Sequence, residues 1–190
     1  GYGLAVSALD EDAVDRLMTA KGREKSHPFT LAVRSAEEAL DYVPDLSPMG
    51  RRLSRRCWPG PLTLVAENHH PEGLLTQLPS KVREAVIPNG TVGLRVPAHP
   101  LVLDVLRMLT GPVALTSANL TGKPDAITAE EVIDAFGERI DLVLDGGKSR
   151  LGQASSVVKV HERSYEILRE GVVTEQHLKR LSSLMILIIC

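Results

Sequence analysis

Thr91-Val92-Gly93-Leu94-Arg95-Val96-Pro97 and, after a helical stripe, Val113-Ala114-Leu115-Thr116-Ser117-Ala118-Asn119 are the stretches that set the fold class. The first is a short strand run, and the second is a strand that opens into a polar turn, a common location for a site. Between them Leu101, Val102, Val105, Leu106 and Leu109 recur at helical spacing, so the segment reads strand, helix, strand. Toward the N-terminus, Leu62 to Ala66 and Phe29 to Val33 are further strand runs. Trp58-Pro59-Gly60-Pro61 must stop a basic helix holding Arg51, Arg52, Arg55 and Arg56, which Pro44 and Pro48 set off from what precedes. Ser35 with Glu38 forms a capping box before a short helix, and Ser7 with Asp10 caps a helix carrying Val14, Leu17 and Met18 that ends near Lys21-Gly22-Arg23.

Toward the C-terminus, Thr128 with Glu131 caps a helix through Phe136, and Leu142-Val143-Leu144 predicts a short strand. Asp145 to Gly152 is a glycine-rich loop, Val157 to Val160 and Tyr165 to Leu168 predict a hairpin, and Thr174 to Leu181 a last polar helix. Helices and strands interleave without a strict alternating unit, and no repeat or linker divides them. The expectation is one domain over residues 1–190, of α+β or mixed α/β layer fold. The apolar stretch 184–190 is far shorter than the roughly 20 residues of a membrane-spanning helix and reads as a buried or edge strand or an aberrant tail.

Composition narrows the function classes. The chain has 190 residues, 43% hydrophobic and 24% charged, with a formal net charge of −2, so no global positive field draws it to nucleic acid or anionic lipid. Only 3% of residues are aromatic, so ring recognition must rest on aliphatic surface and backbone groups. Cys57 and Cys190 form neither a disulfide framework nor a zinc spacing, which fits a reducing compartment and a cytoplasmic address. The N-terminus has no charged segment followed by a cleavable apolar run.

Several residues stand out as anion binders. Lys21 and Arg23 sit two apart at a helix end, either as cations that complement the helix dipole or as a pair converging on an anion. As exposed cations they should add little to stability. Ser117 and Asn119 present a hydroxyl and an amide on a strand-end loop, or form an ordinary turn. Arg95 is a cation inside an apolar strand, and a buried arginine needs an anionic partner. Ser155-Ser156, after the glycine loop, offers two hydroxyls and an anion-binding nest or a plain turn. Arg169 ends the hairpin. Gly147-Lys148-Ser149 is not a phosphate loop, because Leu142 stands where that motif needs glycine and the segment leads into a strand. His69-His70 matches no ligand spacing and reads as a solvated loop, as the 51–56 arginine run reads as a solvated helix face.

Taken in order, Tyr2-Gly3-Leu4, Lys21-Gly22-Arg23, Trp58-Pro59-Gly60-Pro61-Leu62-Thr63, Gly93-Leu94-Arg95-Val96-Pro97, Thr116-Ser117-Ala118-Asn119 with Gly122 and Pro124, and Ser155-Ser156-Val157-Val158 resemble the motifs of YrdC-type threonylcarbamoyl-AMP synthases. The resemblance runs from Tyr2 to about Gly171. It implies a twisted mixed sheet flanked by helices, with a concave, positively charged cleft. It also implies an activity: threonine, bicarbonate and ATP give threonylcarbamoyl-AMP and pyrophosphate, for threonylcarbamoyladenosine modification of tRNA, with magnesium accompanying ATP. Carried over by position, it implies that Lys21, Arg23, Ser117 and Asn119 hold the ATP phosphates and carry the chemistry. Thr91 and Arg169 become ATP contacts, Arg95 the anchor of the threonine carboxylate, and Thr116 and Ser155 residues lining the threonine side. The implied partners are tRNA and the machinery that transfers the threonylcarbamoyl group, with no membrane.

The family's opening strand and Pro-Thr-x-Thr segment would precede Tyr2, Gly1 stands where valine is common, and Ser156 replaces a threonine. The chain thus resembles a fragment that lacks part of the threonine pocket. Two other readings stay open. One is a double-stranded RNA or tRNA-binding module without catalysis, which the arginine run favours and the net charge opposes. The other is a carbamoyl-transfer domain of a hydrogenase-maturation protein, against which the absence of zinc-finger cysteines speaks.

Overall fold

The computed structural model describes residues 1–22, 28–150 and 153–183. Arg23 and the apolar stretch 184–190 therefore lie outside the described residues. The strands are β1 (Gly3–Ser7), β2 (Thr30–Ala32), β3 (Leu62–Glu67), β4 (Thr91–Arg95), β5 (Val113–Ser117), β6 (Ser156–Val160) and β7 (Tyr165–Arg169). They form one mixed sheet in the order β1-β5-β2-β4-β3-β6-β7. Strands β2 and β4 are parallel, as are β3 and β6, and the other neighbours are antiparallel. The helices are α1 (Glu11–Lys21), α2 (Ala36–Tyr42), α3 (Pro48–Cys57), α4 (Ser80–Val86), α5 (Pro100–Met108), α6 (Ala129–Phe136) and α7 (Glu175–Ser182).

The two faces of the sheet are unlike, because side chains alternate along each strand. Val92 and Leu94 of β4, Leu62 and Leu64 of β3, Ala114 of β5 and Val158 of β6 are all fully buried on one face. There they join α1 through Val14 and Leu17, α2 through Ala39 and Tyr42, α3 through Leu53, α4 through Val82 and Val86, α6 through Phe136, and α7 through Leu178. Helix α5 packs on the opposite face, where Leu106 meets Ala32 and Val113 in a second, small cluster. That helix covers one side of the face. Thr91, Gly93, Arg95, Ser117 and Val157, which share it, remain partly exposed.

Local signals account for most element ends. Ser35 accepts from the Glu38 N–H and Thr128 from the Glu131 N–H, as N-cap side chains do. Helix α1 is capped by Asp10, which accepts from Ala13, rather than by Ser7; Ser7 ends β1 and accepts from Leu9. Gly22 closes α1 in the left-handed region at φ 59°, a conformation natural to glycine. Gly60 is required for a different reason, since a Cβ there would lie 2.1 Å from the Cys57 carbonyl oxygen.

One further expectation changes, and two elements are new. Leu142–Leu144 is irregular rather than a strand, with Leu142 72% exposed; its aliphatic residues match a strand pattern, but they pair with no ladder. Strand β1 and helix α4 carry too few periodic residues to be read from sequence. In β1 only Leu4 is buried, because the strand lies at a sheet edge.

Candidate active site on the open face of the sheet

The C-terminal end of β5 turns sharply after Ser117, and Lys21 at the end of α1 reaches into that turn. Its ammonium donates to the Ser117 carbonyl at 2.8 Å, the Asn119 carbonyl at 2.5 Å and Asn119 Oδ1 at 2.8 Å. Ser117 Oγ donates to Asn119 Oδ1 at 2.5 Å, Asn119 Nδ2 donates to the Lys123 carbonyl at 2.7 Å, and Thr121 Oγ1 donates to the Lys21 carbonyl. Lysine, serine and asparagine, distant in sequence, therefore form one polar knot. Only 2% of Lys21 is exposed, which corrects the expectation of an exposed cation with little structural weight. The helix ends in contact with β5 rather than in solvent.

Arg95 and Arg169 lie on the open face. Arg95 Nε donates to the Gly60 carbonyl at 3.2 Å, and among the described residues no carboxylate pairs with it. The proline-rich turn thus supplies a carbonyl where an anion was expected. Burial, and secondarily the positive charge of Arg169, hold the Arg95 pKa below its ordinary value. Arg169 donates through Nε and Nη2 to the Ser155 carbonyl, at 3.2 and 2.9 Å, and lies 3.4 Å from Ser155 Oγ. No acceptor is found among the described residues for the terminal nitrogens of Arg95, and no buried side-chain nitrogen or oxygen among those residues lacks a partner, so these nitrogens keep access to solvent. The two guanidinium groups put like charge on one open surface.

The two serines of the expected nest separate. Ser156 is fully buried, donates to the Val173 carbonyl at 2.6 Å and accepts from the Gly171 and Val173 N–H groups. It fastens the end of the hairpin and offers nothing to a ligand. Ser155 stays at the open face, 3.5 Å from Thr63 Oγ1. Thr91 starts β4 on that face. Thr116 pairs in register with Leu4, while Ser117 pairs with Gly3, so alternation puts Thr116 on the core face, where 8% of it is exposed. Thr63 joins the site without having stood out in the sequence, where its only signal is its place after the proline-rich turn.

The neighbouring loop is tied to β1. Tyr2 Oη lies 2.9 Å from Asp145 Oδ1 and 2.7 Å from the Gly147 carbonyl. The Gly147 N–H and then the Tyr2 hydroxyl lower the Asp145 pKa, and burial and then Asp145 raise that of Tyr2.

The arginine run has another role. Arg51 donates to the Leu46 and Pro44 carbonyls, Arg52 to the Ser182 carbonyl at 2.6 Å and Arg56 to the Leu181 carbonyl. Arg51 and Arg52, half-buried, tie down the chain after α2 and the end of α7, while Arg55 and Arg56 stay exposed, as a solvated helix face requires. His69 pairs with Glu67 at 2.9 Å, and among the described residues no group of three or more His, Cys, Asp or Glu is placed to hold a metal ion.

Comparison with known proteins places the sequence and the fold in a family. The Sua5, YciO and YrdC family model, described as "Telomere recombination", matches residues 1–171. The chain is 36% identical to a threonylcarbamoyl-AMP synthase of Pyrococcus abyssi over 172 residues, covering 90% of this chain and 47% of that one. It is 33% identical to the Bacillus subtilis threonylcarbamoyl-AMP synthase over 183 residues, covering 94% and 49%. The crystal structure of Pyrococcus abyssi Sua5 complexed with L-threonine superposes with a TM-score of 0.83 at 33% identity, covering 95% of this chain and 50% of that chain. The chain spans about half the length of each of these relatives. With the family model matching most of its length and the same mixed sheet underneath, this chain belongs to the Sua5, YciO and YrdC family.

Proposed function

We propose that this domain forms threonylcarbamoyl-AMP and pyrophosphate from L-threonine, bicarbonate and ATP, as a nucleotidyltransferase serving tRNA modification. The observation that carries this reading is the pair Arg95 and Arg169, two like charges that no carboxylate among the described residues pairs with, on the open face that also holds Ser155 and Thr91. Arg95 anchors the threonine carboxylate through its solvent-facing nitrogens, a geometry suited to a two-pronged pair. Ser155 lies on the threonine side; Thr116, on the core side of β5, meets a ligand only through the backbone of its turn. Arg169 and Thr91 contact ATP, and the knot of Lys21, Ser117 and Asn119, together with Arg23, receives the phosphates.

The amine of threonine and bicarbonate give a carbamate and water. A carbamate oxygen then attacks the α-phosphorus, and the α–β phosphoanhydride bond breaks as pyrophosphate leaves. The nucleophile is already an anion, so the residues position groups and neutralise charge. Magnesium enters with ATP, needs few protein ligands, and when bound offsets the charge of the leaving pyrophosphate; the cationic and hydroxyl side chains here suit that division of labour.

The partners under this reading are tRNA and the transfer machinery, and the address is the cytoplasm; no helix among the described residues is long and apolar enough to cross a membrane. An RNA-binding module is the weaker reading, because the arginines that favoured it hold backbone carbonyls. Calorimetric titrations with ATP and with threonine, followed by a pyrophosphate assay with bicarbonate, test the proposal. Salt-dependent RNA binding with no affinity for either small molecule would replace it.

A further inference from the structure

Gly93 sits in the middle of β4, between Thr91 and Arg95 on the open face, roughly 7 Å from each along the strand. Glycine inside a strand weakens it relative to alanine, by backbone entropy and the lack of a side chain to pack, so its presence needs a reason. The backbone does not supply one, since Gly93 is not among the glycines with positive φ. Packing within the sheet supplies only part of one. A Cβ on Gly93 would lie 3.3 Å from the Thr63 Cγ2 methyl, 3.7 Å from Thr30 Oγ1 and 4.0 Å from Thr30 Cα, contacts that a shift of a few tenths of an ångström relieves. What the missing side chain leaves is space above the sheet, and a glycine within a strand often marks close approach of a ligand.

We propose that Gly93, walled by Thr63 and Thr30, is the floor against which the junction between the two substrates lies. This rests on the substrate reading above, in which Thr91 meets ATP and Arg95 the threonine carboxylate. The reacting carbamate and α-phosphate then fall between them, over Gly93. Thr63 is a positioning residue here: 4% exposed, with its hydroxyl 3.5 Å from Ser155 Oγ, it sets the wall without reaching the reacting atoms.

The test measures binding of ATP, of threonine and of threonylcarbamoyl-AMP to the unaltered chain and to Gly93→Ala, Thr63→Ser and the double variant, with melting curves for each. In Gly93→Ala the adenylate, which spans the junction, should bind about tenfold or more weaker, as overpacking costs imply. ATP alone and threonine alone should stay within about threefold. Thr63→Ser removes the methyl nearest a new Cβ, so the double variant separates a strained sheet from a filled floor. Continued loss of adenylate binding in it, with a normal melting curve, supports the floor; recovery overturns it. Unchanged adenylate affinity in Gly93→Ala also overturns it, leaving the functional reading intact. Failure of the unaltered chain to bind any of the three overturns both.

Discussion

Two sets of arginines, alike in sequence as candidate anion binders, have opposite fates in the fold. Arg51, Arg52 and Arg56 of α3 donate to backbone carbonyls around the ends of α2 and α7, so their charge is used within the protein. Arg95 and Arg169 also donate to backbone carbonyls, those of Gly60 and Ser155, but they do so near one another on the open side of the sheet, where burial makes Arg95 a poorer host for its charge. The first set stabilises the scaffold. The second is a local cost that a bound anion would offset, which is the balance expected of a binding site.

The largest expected effect joins the two regions. Lys21→Ala removes three hydrogen bonds from a buried ammonium, so it should cost about 3 kcal/mol and lower the melting midpoint by roughly 6–12 °C, along with ATP affinity. An unchanged midpoint would return Lys21 to a purely ligand-facing role. Next is Arg95→Lys, which keeps the charge but loses the planar fork. Threonine affinity should fall by about 1.5–3 kcal/mol, roughly 10–150-fold, and ATP affinity much less; equal losses in parallel titrations would make Arg95 an ATP contact or a structural residue.

On the scaffold side, replacing Arg52 and Arg56 together by alanine should cost about 1–2 kcal/mol of stability, moderated by the exposure of Arg56, and leave ATP affinity unchanged. Weakened ATP binding in that variant, seen by calorimetry, would erase the distinction between the two arginine sets. The smallest effect concerns alkali. Burial, then Glu38, pushes the Tyr42 hydroxyl from 10.0 up to about 12, and burial pushes the Cys57 thiol from 9.0 up to about 11. A raised pKa on an acid means stability that is complete below the unfolded value and is lost as pH rises toward the folded one. Stability should therefore decline between about pH 9 and 12, and less steeply in Tyr42→Phe. A profile identical to that of the unaltered chain would mean that Tyr42 carries none of the decline.

Much of the fold is legible in the amino-acid sequence. The caps at Ser35 and Thr128 act as expected because each bond closes within three residues. Strands β3 to β7 are legible because aliphatic and β-branched runs are bounded by proline, glycine or polar turns. The failures share a cause: Leu142–Leu144 has strand chemistry but no partner strand, and Ser7 has cap chemistry but lies at the end of a ladder with β5. In both, nonlocal pairing decides what local preference leaves open.

The amino-acid sequence by itself determined most of the elements, the mixing of helices and strands in one domain and the ordered motifs that mark the family, since these depend on periodicity and short-range bonds. It also placed Arg95 inside a strand. Only the tertiary structure decided which sheet face stays open, because alternation defines two faces without saying where α5 will pack. The same packing buried Lys21 against Ser117 and Asn119, turned Thr116 toward the core, and put Arg51 and Arg52 between helix ends but Arg95 and Arg169 on the open face. Each of those outcomes depends on contacts between residues far apart in the chain, and local preference carries no information about them.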